Sequence, residues 1–219
     1  MLVSISTNPP KTREKMLEYV ESLNDLDIDY IHCDVMDGEF VPQTTYDYVF
    51  LPRIKKVTNK KLDVHLMVNN PQENYEYYIE RGADILTVHY EPFKGRLNEL
   101  INMLNNIRAR GIKAGLSIKV TTLEKNIFSL LKYVDVVLLM SVKVGKSGQN
   151  FDKRVLPKID KVSEYIKAYN LNTIIEVDGG INDTNIKLLQ DKNVKMVAVG
   201  SYMYNAKDRI EATRILKGN

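Results

Sequence analysis

His32 and Asp34 stand two residues apart in the run Tyr30-Ile31-His32-Cys33-Asp34-Val35-Met36-Asp37-Gly38. The run is apolar and β-prone, and it closes on a glycine turn. Alternate residues of a strand share a face, so Tyr30, His32, Asp34 and Met36 point one way and Ile31, Cys33 and Val35 the other. An imidazole and a carboxylate on one face can hold a divalent cation or exchange a proton. The alternative is a buried His–Asp hydrogen bond that only orders a strand. The chain has three histidines, His32, His65 and His89, and each falls near the end of an expected strand. In Leu62-Asp63-Val64-His65-Leu66-Met67-Val68, His65 and Met67 share a face as Asp34 and Met36 do. Asp178 ends the run Ile174-Ile175-Glu176-Val177-Asp178, directly before Gly179-Gly180. Its alternative is a helix cap, for which Asn182 and Asp183 are better situated. If the fold brings His32, Asp34, His65 and Asp178 together, two imidazoles and two carboxylates suit zinc, manganese, iron or cobalt.

The elements that must position them are short β-branched runs alternating with longer amphipathic ones. Strands are expected at Leu2–Ser6, Asp29–Val35, Lys61–Val68, Ala83–His89, Lys113–Lys119, Val134–Ser141, Thr173–Asp178 and Val194–Gly200. Helical patterns cover Thr12–Leu23, Pro71–Arg81, Leu97–Arg110, Leu123–Leu131, Lys153–Tyr169, Asn182–Lys192 and Ala206–Leu216. The segment Tyr46–Val57 is interrupted by Pro52. Val136-Val137-Leu138-Leu139-Met140 is apolar throughout, as a strand buried on both faces must be. Strand–helix units at a spacing of roughly 25 residues fit a (β/α)8 TIM barrel better than an open doubly wound sheet, because no Gly-x-Gly-x-x-Gly follows the first strand. Nothing marks a second domain, so residues 1–219 are expected to form one barrel. In such barrels the chemistry collects on the loops after the strands, and phosphate commonly binds after the last two. Gly179-Gly180, Gly200-Ser201 and the loop Gly145-Lys146-Ser147-Gly148 are the glycine-bearing turns on that face.

Composition narrows the class. Of the 219 residues, 44% are hydrophobic and 27% charged, which is ordinary for a globular protein. The net charge of +3 is mild and its lysines and arginines are dispersed, which argues against nucleic acid and suits a small anionic substrate. No stretch is long and apolar enough to span a bilayer and no signal-peptide pattern is present, so no membrane partner is expected. A single cysteine, Cys33, on the outward face of its strand, points to packing and to a reducing, cytoplasmic setting.

His32-Cys33-Asp34-Val35-Met36-Asp37-Gly38-Glu39-Phe40-Val41-Pro42 resembles the second-strand signature of ribulose-phosphate 3-epimerases. Asp63-Val64-His65-Leu66-Met67-Val68, Thr87-Val88-His89-Tyr90-Glu91 and Ile175-Glu176-Val177-Asp178-Gly179-Gly180-Ile181 resemble the later blocks of that family in order and spacing. The resemblance implies a metal-dependent isomerase of the pentose phosphate pathway that inverts C3 of D-ribulose 5-phosphate to give D-xylulose 5-phosphate. It implies one divalent ion held by His32, Asp34, His65 and Asp178, with Asp34 and Asp178 as the acid–base pair. It maps Ser4, His65, Met36, Met67 and Met140 onto substrate contacts. It maps Gly145, Lys146, Ser147, Gly148, Gly179, Gly180, Gly200 and Ser201 onto the phosphate site. A homo-oligomer is expected on the same basis. Two acids answer a chemical need, since a single base tends to return a proton to the face it came from. A cation stabilises the charge of the enediolate intermediate.

The chain departs from the family pattern around the substrate rather than the metal. After the sixth strand the usual Asn-Pro-Gly-Phe-Gly-Gly-Gln is Lys143-Val144-Gly145-Lys146-Ser147-Gly148-Gln149. The fifth strand ends in Lys119-Val120 in place of Asn-Pro. After Ser4 the usual Ile-Leu-Ser-Ala-Asp is Ile5-Ser6-Thr7-Asn8-Pro9. These changes keep open a hexulose phosphate such as allulose 6-phosphate as substrate. Two weaker alternatives are a related aldolase or decarboxylase barrel, kept alive by Lys119, and a non-catalytic sugar-phosphate binder.

Overall fold

The computed structural model of the chain describes residues 1–45 and 48–218. Eight parallel strands close into a barrel in sequence order: β1 Leu2–Ser6, β2 Tyr30–Met36, β3 Lys61–Met67, β4 Ile85–His89, β5 Lys113–Ile118, β6 Val136–Met140, β7 Ile174–Asp178 and β8 Val194–Val199. The TIM barrel expected from the alternating pattern is the architecture observed. Around it lie α1 Arg13–Glu21, α2 Leu51–Val57, α3 Tyr75–Glu80, α4 Leu97–Ala109, α5 Val155–Ala168, α6 Ile186–Gln190, α7 Ser201–Asn205 and α8 Arg209–Lys217. Among the described residues no helix is long and apolar enough to cross a membrane.

The connections differ from expectation in four places. Pro52 sits in the first turn of α2, where a missing N–H costs nothing, so it opens that helix rather than breaking it. Tyr46 and Asp47, the start of that ambiguous segment, lie outside the described residues. Residues Glu124–Tyr133 form a 3-10 helix, in which the buried side chains Glu124, Ile127 and Leu130 follow the three-residue turn and Leu131 adds to the same packing. The helix expected from Asn182 is regular only from Ile186, but Asn182 caps the turn ahead of it: its Oδ1 accepts from the Thr184 and Asn185 amides and its carbonyl accepts from the Ile186 amide. Ahead of α8, capped by Asp208 through the Glu211 amide, a separate one-turn helix α7 follows Gly200.

Outward residues of the strands, such as Ile31, Cys33, Val35, Val64, Leu66 and Val88, pack under the helices in one continuous core. The interior is layered. Tyr30, Ile85, Val136 and Met196 plug its lower end. Met36, Met67, Leu138 and Met140 line the upper end. Between them lies a polar layer in which Ser4, His32, Asp63, His65, Thr87, Ser117 and Glu176 are all 0% exposed. Gly115 leaves room in this layer: it pairs with Thr87 across β4 and β5, and a Cβ there would collide with Thr87 Oγ1 and lie 2.8 Å from Thr87 Cβ. Gly115→Ala should therefore cost about 1–3 kcal/mol of stability, read as a lower urea midpoint at unchanged slope.

Candidate metal centre

Strand register assembles the site. Asp34 pairs with His65 across β2 and β3, Ser6 with His32 across β1 and β2, and Met140 with Asp178 across β6 and β7. A bulge after Ile175 leaves Lys195 as the extra, exposed residue of β8 and brings Ala198 opposite Asp178. One donor atom from each of His32, Asp34, His65 and Asp178 lies within 4.8 Å of the other three. The four residues read from the sequence do converge.

The hydrogen bonds around them decide which atoms face inward. Glu91 accepts from the Lys119 amide at 2.8 Å and from Thr122 Oγ1 at 2.5 Å, and it faces His89 Nδ1 at 3.0 Å. Burial alone would raise the Glu91 carboxyl, yet the bond to His89 together with those from Thr122 and the Lys119 amide brings it down to about 2. An ionised carboxylate only accepts, so His89 Nδ1 carries the hydrogen. Burial lowers His89 to about 4, which leaves its Nε2 bare. That bare nitrogen lies 2.9 Å from His65 Nε2, which must donate. In the neutral ring His65 Nδ1 is then a lone pair, 3.1 Å from Asp34 Oδ1. Two acceptors face each other there, and a cation resolves the conflict. On the opposite side His32 Nδ1 donates to Asp63 Oδ2 at 2.6 Å and turns Nε2 to within 3.2 Å of the same Asp34 oxygen. Hard and borderline divalent ions accept this mixed nitrogen and oxygen set, so the residues fit a metal.

The two aspartates differ in charge. Burial pushes Asp34 upward, but the charge and hydrogen bond of His32 lead the opposing effects, and the carboxyl is held well below the ordinary range. Burial, and then the Asp34 carboxylate, push Asp178 up to about 6. Environments that drive two carboxyls apart mark one as base and the other as acid.

The cavity above the centre is bordered by Asp34, Asp178, Met36, Met67, Met140, Gly145, Lys146, Ser147, Gly148, Gly179, Gly180, Gly200 and Ser201. Two residues expected to touch substrate are not on this wall. Ser4 is fully buried one layer down, and its hydroxyl donates to Asp63. Ser6 and Asn8 take that wall position, since inward residues two apart on β1 differ in height. His65 is also fully buried and belongs to the ion cluster beneath. Gly180 admits the loop after β6: a Cβ on it would lie 2.5 Å from the Phe151 amide nitrogen. That loop is tied by Gln149, which donates to the Lys143 and Lys146 carbonyls. Lys119 stands apart. Its ammonium sits 3.7 Å from the centre of the Phe40 ring and borders a neighbouring cavity of about 420 Å³.

Sequence reasoning did not single out Asp63 or Glu176, noted Ser6 and Asn8 only as departures around the substrate, and gave His89 no task. The period of two was the available signal for the first pair. Asp63 precedes His65, and Glu176 precedes Asp178, by one inward step.

A model of the ribulose-phosphate 3-epimerase family matches residues 4–204. A ribulose-phosphate 3-epimerase of Helicobacter pylori is 40% identical over 190 residues, covering 87% of this chain and 85% of the relative. The chain belongs to the ribulose-phosphate 3-epimerase family. A second such relative, from Aquifex aeolicus, is 38% identical over 86% of this chain and 83% of its own length. Among solved structures, a mutant tryptophan synthase α-subunit from Pyrococcus furiosus superimposes with a TM-score of 0.69 at 12% identity, covering 100% of this chain and 97% of the other. That likeness concerns the barrel alone, whereas family membership rests on the match over residues 4–204 and on the identity to the relatives.

Two outcomes follow for the centre in this epimerase-family chain. Asp178 is protonated below about 6, above its ordinary range, so its own contribution to the stability of the ion-free fold is lost as pH rises from about 4 through 6, and a cation must displace that proton at acid pH. Titration calorimetry in buffers of different ionisation enthalpy should count about one more proton released per bound ion at about pH 5 than at about pH 8. A flat count would exclude Asp178 from the ion's shell. His89→Phe removes the acceptor that fixes the His65 tautomer and should weaken ion affinity by about 10–100-fold with the circular dichroism spectrum unchanged.

Proposed function

We propose that this chain inverts C3 of D-ribulose 5-phosphate, giving D-xylulose 5-phosphate, by proton transfer between Asp34 and Asp178. The observation that carries the reading is the pair itself: two carboxyls bordering one cavity, Asp34 held ionised and Asp178 pushed up to about 6. Inversion beside a carbonyl requires a base on one face of the carbon and an acid on the other, and it passes through an enediolate. In each direction the carboxylate takes the C3 proton and the carboxylic acid returns one to the opposite face. His32 holds Asp34 in its charged form. Met36, Met67 and Met140 form an apolar wall that offers no competing proton. The turns at Gly179-Gly180 and Gly200-Ser201, with Lys146 and Ser147, are suited to the phosphate by backbone N–H groups and charge.

The cofactor in this reading is one divalent ion, zinc, manganese, iron or cobalt, held by His32, Asp34, His65 and Asp178. When bound, it supplies electrostatic stabilisation of the negative charge that develops on the sugar oxygens. Homo-oligomer formation belongs to the same proposal and rests on family likeness. A cytoplasmic setting is supported by the single, buried Cys33. Lys119, engaged with Phe40 beside a separate cavity, gives no support to aldol or decarboxylation chemistry.

Purified protein loaded with each ion in turn should convert ribulose 5-phosphate. Asp34→Asn and Asp178→Asn should each lower kcat by about 10²-fold or more. Turnover within about tenfold of the parent in either variant would remove the two-acid assignment. Allulose 6-phosphate, run in parallel, tests the cavity wall: the altered residues Asn8, Lys146 and Ser147 all border it. Faster turnover of the hexulose would transfer the proposal to that substrate.

A further inference from the structure

The segment after β1 carries residues to which the assigned chemistry gives no task. Asp34 has two oxygens with separate duties. Oδ1 faces the two imidazoles, at 3.2 Å from His32 Nε2 and 3.1 Å from His65 Nδ1. Oδ2 accepts from Asn8 Nδ2 at 2.7 Å and from Ser6 Oγ at 3.3 Å. The amide orientation is forced, since an ionised carboxylate presents no hydrogen and Nδ2 is the only donor of the Asn8 side chain. Asn8 is itself braced by its own backbone N–H, which donates to Ser6 Oγ at 3.2 Å.

The bracket is anchored at both ends. Thr7 donates to the His32 carbonyl through its backbone N–H at 2.9 Å and through its hydroxyl at 3.2 Å. Pro9 and Pro10 follow immediately and fix the backbone on the other side. Ser6 is buried, Asn8 is half-buried, and both border the cavity. The pattern this chain resembles has leucine and alanine at these positions, which cannot donate.

We propose that Ser6 and Asn8 are positioning residues that hold Asp34 in one orientation, with Oδ1 turned to the ion and Oδ2 turned to the substrate proton. The inference rests on the reading of Asp34 as an acid–base group. A carboxylate free to rotate can swing both oxygens onto a cation and lose the geometry for proton transfer. A charge-assisted bond from a braced amide opposes that swing. Because the pair acts through Asp34 rather than through the sugar, its loss should change kcat and leave KM nearly unaltered.

The test uses Asn8→Ala, with Asn8→Ser and Ser6→Ala beside it, in protein loaded with cobalt(II). Asn8→Ala should lower kcat by about 10–100-fold with KM within about threefold, and should change the visible absorption of the bound cobalt as the carboxylate alters its mode of binding. Asn8→Ser should move both readouts in the same direction, and Ser6→Ala less, as its contact is longer. The cobalt spectrum reports the carboxylate whether or not ribulose 5-phosphate is turned over. Failure of the clamp is thus separable from failure of the epimerase reading, which Asp34→Asn tests. Parental kcat and an unchanged cobalt spectrum in Asn8→Ala and Asn8→Ser, alongside an inactive Asp34→Asn, would overturn the clamp.

Discussion

The interior of this barrel is governed by the cost of burying ionisable groups. A charge removed from water must be paired or neutralised, and a network of such groups is stable only when its members answer one another. His32 lies between Asp63 and Asp34, and the carboxylates keep its proton affinity high against the opposing effect of burial. His65 lies between Asp34 and His89, and His89 leads through Glu91 to Thr122 and the Lys119 amide. A line of contacts thus runs from β3 through β2 and out to the loop beyond β5. Glu176, fully buried beside Asp63, is pushed strongly upward by burial and then by that neighbour, and so remains neutral.

This arrangement explains why the site has a single face. Below the polar layer the barrel is plugged by Tyr30, Ile85, Val136 and Met196, so the cluster is approached from the mouth at the strand ends. The mouth is shaped by contact between loops. Val41 and Gln43, after β2, press on Gly145, after β6. Gly180, after β7, lies against the backbone at residues 149–151. Ser141 donates to the Asp178 and Gly179 carbonyls and ties the end of β6 to the turn that carries the second aspartate.

Much of this was legible in the chain before any coordinates. Strand alternation put His32 and Asp34 on one face, the glycine pair marked Asp178 as a strand end, and both positions hold. Spacing along one strand identifies a face but not a height, because height depends on the stagger between neighbours. Ser4 and Ser6 were indistinguishable by face, and only the pairing of Ser6 with His32 separates the buried hydroxyl from the one at the wall. The same limit hid Asp63 and Glu176, which lie one step below the residues that drew attention. The bulge at Lys195 is invisible for a related reason: it is a property of two strands and not of one. Where local period and tertiary packing agree, as in the apolar run of β6, the reading needed no correction.

One detail of the imidazoles reaches beyond this site. His32 offers the cluster its distal nitrogen, Nε2, whereas His65 offers the proximal one, Nδ1. The two rings are alike in chemistry and unlike in reach. A side-chain amide imitates a proximal imidazole nitrogen when it is asparagine and a distal one when it is glutamine. The amide that reaches nearest to each nitrogen is therefore different, glutamine for His32 and asparagine for His65, and the two histidines are not equivalent by geometry.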